Sequence, residues 1–235
     1  MMPGSYSMVV WIISALAEGF VVVCSLYRKN FLREIPINIY MLAAFAVTIG
    51  SAVCIYRYGF ASRTYGYYYY YTDSLLTLLM FWVIIHFYQE VFKEMQVSRY
   101  VRRAAVLLLL ATLFFSFLVV AHQSQDNWTN RFVIEIGQNL YFVGLVLTYL
   151  LWGTLLKLHE SRMRLVQLVL ALGVYFSASA GTYAFGNLFP GLYMPFLRYI
   201  PPMLGAWLPI AWAYTFTKVP GEARLSAGRL LARAR

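Results

Sequence analysis

Apolar residues fall into seven long blocks along this chain, and polar residues gather in the short gaps between them. The blocks cover residues 7–27, 37–58, 72–92, 104–121, 132–156, 165–185 and 192–216. Each is close to the roughly 20 residues that a helix needs to cross a hydrocarbon core. A membrane-spanning β-strand would instead alternate apolar and polar positions over about ten residues. The fourth block, AAVLLLLATLFFSFLVVA, shows no alternation. The pattern therefore predicts an all-α integral membrane protein of seven transmembrane helices, with residues 1–217 forming one domain. Residues 218–235 form a basic tail in which Leu225, Leu230 and Leu231 are interleaved with Arg224, Arg229 and Arg233. A short interfacial helix on anionic inner-leaflet lipids and a frayed tail both fit that composition.

Composition agrees with the blocks. The 235 residues are 61% hydrophobic and 12% charged, against about 25% charged in soluble domains. A net charge of +10 invites a nucleic-acid reading, but the placement of the charges points elsewhere. Fifteen of the 19 basic residues fall in connections 1–2, 3–4 and 5–6 and in the tail. The other side has only Arg57, Arg63, Arg131 and Arg198. Short loops rich in Lys and Arg stay cytoplasmic, which puts the N-terminus outside and the C-terminus inside. The expected location is a plasma membrane of the bacterial inner-membrane kind. The expected partners are the lipid bilayer and a further protein, and no nucleic acid. Met1–Met8 has no basic start and no small-residue cleavage site, so the first span is expected to act as its own anchor. Cys24 and Cys54 fall at different depths and are not expected to pair.

Two patterns stand out within the spans. Tyr65–Tyr71 (YGYYYYY) lies just before the third block, where an aromatic belt or a stacking platform would sit. Ala46, Gly50, Cys54, Tyr56, Tyr58 and Gly59 align at one offset with Gly173, Ser177, Gly181, Tyr183, Phe185 and Gly186. A parallel 3+1+3 duplication accounts for that match, and so does convergent selection for small residues at helix contacts.

Ionisable residues at membrane depth are costly and default to functional candidates. Glu18 lies mid-way along the first block, on one helical face with Ser14 and Ser25, and is a candidate proton carrier or hydrogen-bonded neutral acid. In the outer half, Arg198, Glu135, Asn139, Asp73, Arg57 and His122, with the tyrosines near the same rim, form a candidate outward-facing pocket for an anion or other small polar ligand. The seventh block beside it is broken by Pro195, Pro201-Pro202 and Pro209, and irregular backbone at depth is tolerated where it lines a cavity. An ion pair between Arg198 and Glu135 is the structural alternative. His86 and Glu90 lie one turn apart near the inner end of the third block, but a metal needs three or four ligands. A haem would have to join His86 to His159. No metal, no cofactor and no catalytic residue are expected.

The layout is similar to three seven-span families, and each comparison fails at the family's defining residues. Retinal proteins need a lysine midway along the last helix, yet Lys29, Lys93, Lys157 and Lys218 all sit at block ends. Ser98-Arg99-Tyr100 resembles the receptor Asp/Glu-Arg-Tyr triplet without its acid, and Asn-Pro-x-x-Tyr is missing. The carriers of the PQ-loop type share the 3+1+3 layout, but there is no Pro-Gln dipeptide. The expected function is a seven-helix sensor or accessory membrane subunit that binds a small ligand at its outer face and acts through a partner. A small-solute carrier is the alternative. An enzyme ranks last, because no nucleophile–base set is visible.

Overall fold

A computed structural model describes residues 5–27, 34–92, 98–121, 128–157, 162–189 and 200–219. Among them are seven α-helices and no strand: α1 (Ser5–Tyr27), α2 (Ile35–Tyr58), α3 (Arg63–Val91), α4 (Ser98–Ala121), α5 (Trp128–Lys157), α6 (Met163–Leu188) and α7 (Ile200–Lys218). Four stretches are long and apolar enough to cross a membrane, namely Ile35–Tyr58, Arg63–Val91, Phe132–Lys157 and Met163–Gly186. They point to a membrane protein. Val9–Cys24 and Leu107–Val119 are shorter apolar stretches.

Local sequence explains the ends of these helices. Pro36 occupies the first turn of α2, where its missing N–H costs nothing. Gly59 ends α2 at φ +83°, a conformation that a side chain would strain. Three residues later Ser62 caps α3 by accepting a hydrogen bond from the Tyr65 N–H at 3.1 Å. That cap moves the start of α3 from the expected residue 72 back to Arg63, so the tyrosine run belongs to the first turns of the helix and does not precede it. The proline reading of the last block also changes. Pro201 and Pro202 fall in the first turn of α7, where proline is tolerated, and only Pro209 lies inside the helix. Pro195 lies outside the described residues.

The helices pack in the cyclic order α1, α2, α3, α5, α6, α7, with α7 closing back on α1. Helix α4 stands outside this ring against α5 and α3. Side-chain bonds set the directions. Tyr68 reaches Val47 and His86 reaches Glu34, so α2 and α3 are antiparallel. Ser74 reaches Val133 and Tyr88 reaches Leu147, so α3 and α5 are parallel. The end where α3 and α5 begin is called the upper end below.

Two glycines allow the closest approaches. A Cβ at Gly144 would strike the ring of Phe176, which is fully buried. A Cβ at Gly50 would strike the Tyr68 hydroxyl. Gly50 thus meets α3, whereas Gly173 meets Thr148 of α5 and Ser177 meets Tyr149 of α5. The two small-residue stripes therefore face non-equivalent neighbours. The ring order itself does repeat when α1–α3 are laid on α5–α7.

The lower half of the ring is filled mainly by apolar side chains. Ile37, Met41, Ile84, Phe87, Leu168 and Trp212 are each no more than 2% exposed and belong to one cluster. The Trp212 indole N–H donates to the Leu168 carbonyl at 3.3 Å, which satisfies the only polar atom of that side chain. Outward faces are apolar too: Leu16 is 69% exposed and Leu107 is 66% exposed. Contiguous apolar surface of this kind is rare on a protein that faces water.

Candidate functional site

Three polar sites break the apolar interior. The first is built around Asp73. Tyr69, Asp73 and Thr77 recur every four residues on α3, so they lie on one helical face. Asp73 is ten residues into the helix, about 15 Å along its axis. Gly137 and Tyr141 stand one turn apart on α5, and Tyr175, Ser179 and Tyr183 stand one turn apart on α6. The Tyr141 hydroxyl donates to Asp73 Oδ1 at 3.0 Å and lies 3.4 Å from the Tyr175 hydroxyl. The Tyr175 hydroxyl has Tyr40 and Ser179 beside it. The Tyr183 ring stacks on Tyr141 with centroids 5.4 Å apart. Five tyrosines from four helices, residues 40, 69, 141, 175 and 183, lie within electrostatic reach of the one carboxyl group.

Asp73 Oδ2 is the exception. Among the described residues no side chain donates to it, and no basic side chain pairs with Asp73. Gly137 leaves room on that side, because a Cβ there would stand 4.0 Å from Oδ2 and 3.5 Å from Ser74 Oγ.

The second site is built around Glu18, 5% exposed, where α1 meets α2 and α7. Ser14 Oγ lies 3.0 Å from Glu18 Oε1, and Thr48 Oγ1 donates to Oε2 at 3.0 Å. Ser14 Oγ also donates to the Gly205 carbonyl at 2.9 Å. That carbonyl would ordinarily bond the N–H four residues on, which is Pro209 and has none. Ser14 thus replaces a helix bond that proline removed. Its single proton is best placed on Gly205, and a protonated Glu18 then donates to Ser14 Oγ and leaves every group satisfied. Ser25 has no described side chain.

The third site closes the lower end. His86 Nε2 lies 3.4 Å from Glu34 Oε2, which ties α3 to the start of α2. Arg162 bonds both the Glu90 carboxylate at 3.0 Å and the Glu90 carbonyl at 3.1 Å. Arg164 stacks over Phe216 at 4.3 Å. Glu34, His86, Glu90, Arg162 and Arg164 line a cleft of about 40 Å³, room for a few waters. His86 and Glu90 have acid and arginine partners, and His159 lies outside the described residues. No group of three metal-ligating side chains occurs among the described residues.

The structure distributes the residues of the expected outer pocket over separate places. Asn139 donates to Ser116 Oγ at 3.0 Å and to Glu135 Oε1 at 3.3 Å, so Glu135 and Asn139 face α4 outside the ring. Asp73 points into the ring, and Arg57 is exposed at the end of α2. Arg198 and His122 lie outside the described residues. Of the tyrosines around Asp73, Tyr69 belongs to the tyrosine run expected at the pocket rim, whereas Tyr40, Tyr141, Tyr175 and Tyr183 are absent from the sequence-derived pocket. Their signal was available: Tyr40, Tyr141 and Tyr175 fall well inside apolar blocks, where a hydroxyl needs a buried partner. No protein-family model, no curated protein and no solved structure matches the chain.

Proposed function

We propose that this is a seven-span membrane protein, N-terminus outside and C-terminus in the cytoplasm, that senses a small ligand for a protein partner. The ligand enters the ring from its upper, outer end and reaches Asp73. One observation carries the reading: the carboxyl and hydroxyl groups able to meet a ligand gather above a packed, mainly apolar cluster. Trp212, Phe87 and Ile84 fill the space that a through-route would need. A ligand held at Asp73 touches α3, α5 and α6 together, and so can bias their packing. With no output domain among the seven helices, the signal passes to a partner docked on the basic cytoplasmic loops and tail, next to anionic lipid.

The test is access. In a chain with Cys24 and Cys54 replaced by Ala, Asp73→Cys is labelled by an impermeant thiosulfonate added outside intact cells. Labelling from outside supports the reading, and labelling only from inverted vesicles removes it. Reporter tags on the two termini answer from opposite faces of the membrane in the same strain.

A small-solute carrier is the second reading. It is favoured by the ring order, which repeats when α1–α3 are laid on α5–α7, as in carriers built from parallel repeats. Solute uptake into proteoliposomes that is abolished by Asp73→Asn would favour it over a sensor.

A further inference from the structure

Resting on the reading of an outer-face ligand, we infer that the Asp73 site takes a protonated organic amine, held by Asp73 Oδ2 and the surrounding tyrosines. The charge balance leads there first. An ionised carboxylate in an apolar interior needs a counter-charge or several donors. Asp73 has one donor, the Tyr141 hydroxyl, and no cation among the described residues. Protonation does not close the site either. A neutral acid would carry its proton on Oδ2, and no described hydroxyl lies within hydrogen-bond distance of that oxygen. A bound ammonium closes both gaps, because it supplies the positive charge and N–H donors to Oδ2.

The walls favour the same ligand. Tyrosine hydroxyls accept from ammonium N–H groups, and ring faces attract cations through their quadrupoles. Tyr69, 41% exposed, and the half-buried Tyr183 stand on the upper-end side of Asp73. An inorganic divalent ion is a poorer fit, since it takes six or more oxygens and prefers several carboxylates. Among the described residues Asp73 belongs to no group of three or more His, Cys, Asp or Glu side chains. Anions are repelled by the carboxylate. Glu18 makes the contrast: both of its oxygens are engaged, and it has nothing to offer a ligand.

The experiment is titration of the purified full chain in detergent with benzylammonium chloride, benzyl alcohol and sodium benzoate at one ionic strength, followed by calorimetry. Saturable benzylammonium binding is expected, with at least tenfold weaker binding by Asp73→Asn, whose side-chain oxygen still accepts from Tyr141. Tyr183→Leu should weaken binding about threefold to tenfold, and Gly137→Leu, which covers Oδ2, should abolish it. These two variants carry the test if Asp73→Asn fails to fold. Equal benzylammonium affinity in wild type and all folded variants overturns the inference, and so does the lack of any saturable benzylammonium binding. Protection from the outside label is read on Tyr183→Cys in the chain lacking Cys24 and Cys54, because that variant keeps the Asp73 carboxylate. If benzoate or benzyl alcohol protects its thiol while benzylammonium does not, the outer site stands and the amine does not. If the thiol of Asp73→Cys cannot be reached from outside at all, the functional reading falls with it.

Discussion

Glu18 and Asp73 are both acids set in the interior of a helical ring, and their surroundings are opposite. Glu18 sits where three helices meet, with Ser14 and Thr48 on its two oxygens and the Gly205 carbonyl completing the set. Asp73 has Tyr141 on one oxygen and nothing described on the other. The first is a closed knot that repairs the damage done by Pro209 to α7. The second is an open half-site framed by aromatic rings. A costly buried acid therefore has two uses, and the count of its partners separates them.

The comparison breaks most readily at Glu18. Glu18→Ala leaves Thr48 without its partner and opens a cavity, so it should cost about 2–4 kcal/mol. Thermal unfolding in detergent reads this as a lowered midpoint, with benzylammonium affinity of the surviving protein unchanged. A loss of affinity without a loss of stability would make Glu18 the ligand site and reverse the assignment. Next comes Gly144→Ala, which forces Phe176 off its position for about 1–3 kcal/mol. Because Phe176 packs against the Tyr141 ring with centroids 6.2 Å apart, this variant should also weaken amine binding. Ser14→Ala strips the Gly205 carbonyl of its donor and should cost about 1–2 kcal/mol. Hydrogen exchange of the α7 amides around Gly205 should rise with it, and unchanged exchange would show that Ser14 is no part of the knot.

The smallest expected effect on stability sharpens the comparison most. Asp73→Asn keeps an acceptor for Tyr141 and should shift stability by less than about 1 kcal/mol. If that substitution destabilises as much as Glu18→Ala, the two acids are alike and both are structural. Glu135→Ala is the neutral control. Its partner Asn139 keeps Ser116, so a change of about 0.5 kcal/mol or less is expected in the unfolding midpoint.

The helices were readable because each apolar block is a one-dimensional signal, carried residue by residue along the chain. The start of α3 was misplaced for a physical reason. A run of tyrosines reads as an interface, and the Ser62 cap that carries the helix through it is a single side chain. Pro201-Pro202 reads as a break in the sequence because composition does not tell a first turn from an interior one. At Glu135 and Asn139 the depth was readable, but the direction was not. Asn139 and Tyr141 stand two positions apart on α5, and that step turns one toward α4 and the other into the ring.

The sequence by itself determined the solvent of this protein and the number and rough extent of its helices, because periodicity and hydropathy are summed along the chain. Only the tertiary structure decided that α4 stands outside the ring, that Ser14 on α1 serves a carbonyl on α7, and that tyrosines from four helices converge on one acid. Those pairings join residues up to 191 positions apart. Which helical faces meet is set by packing, glycine by glycine, and packing is a property of the folded ring.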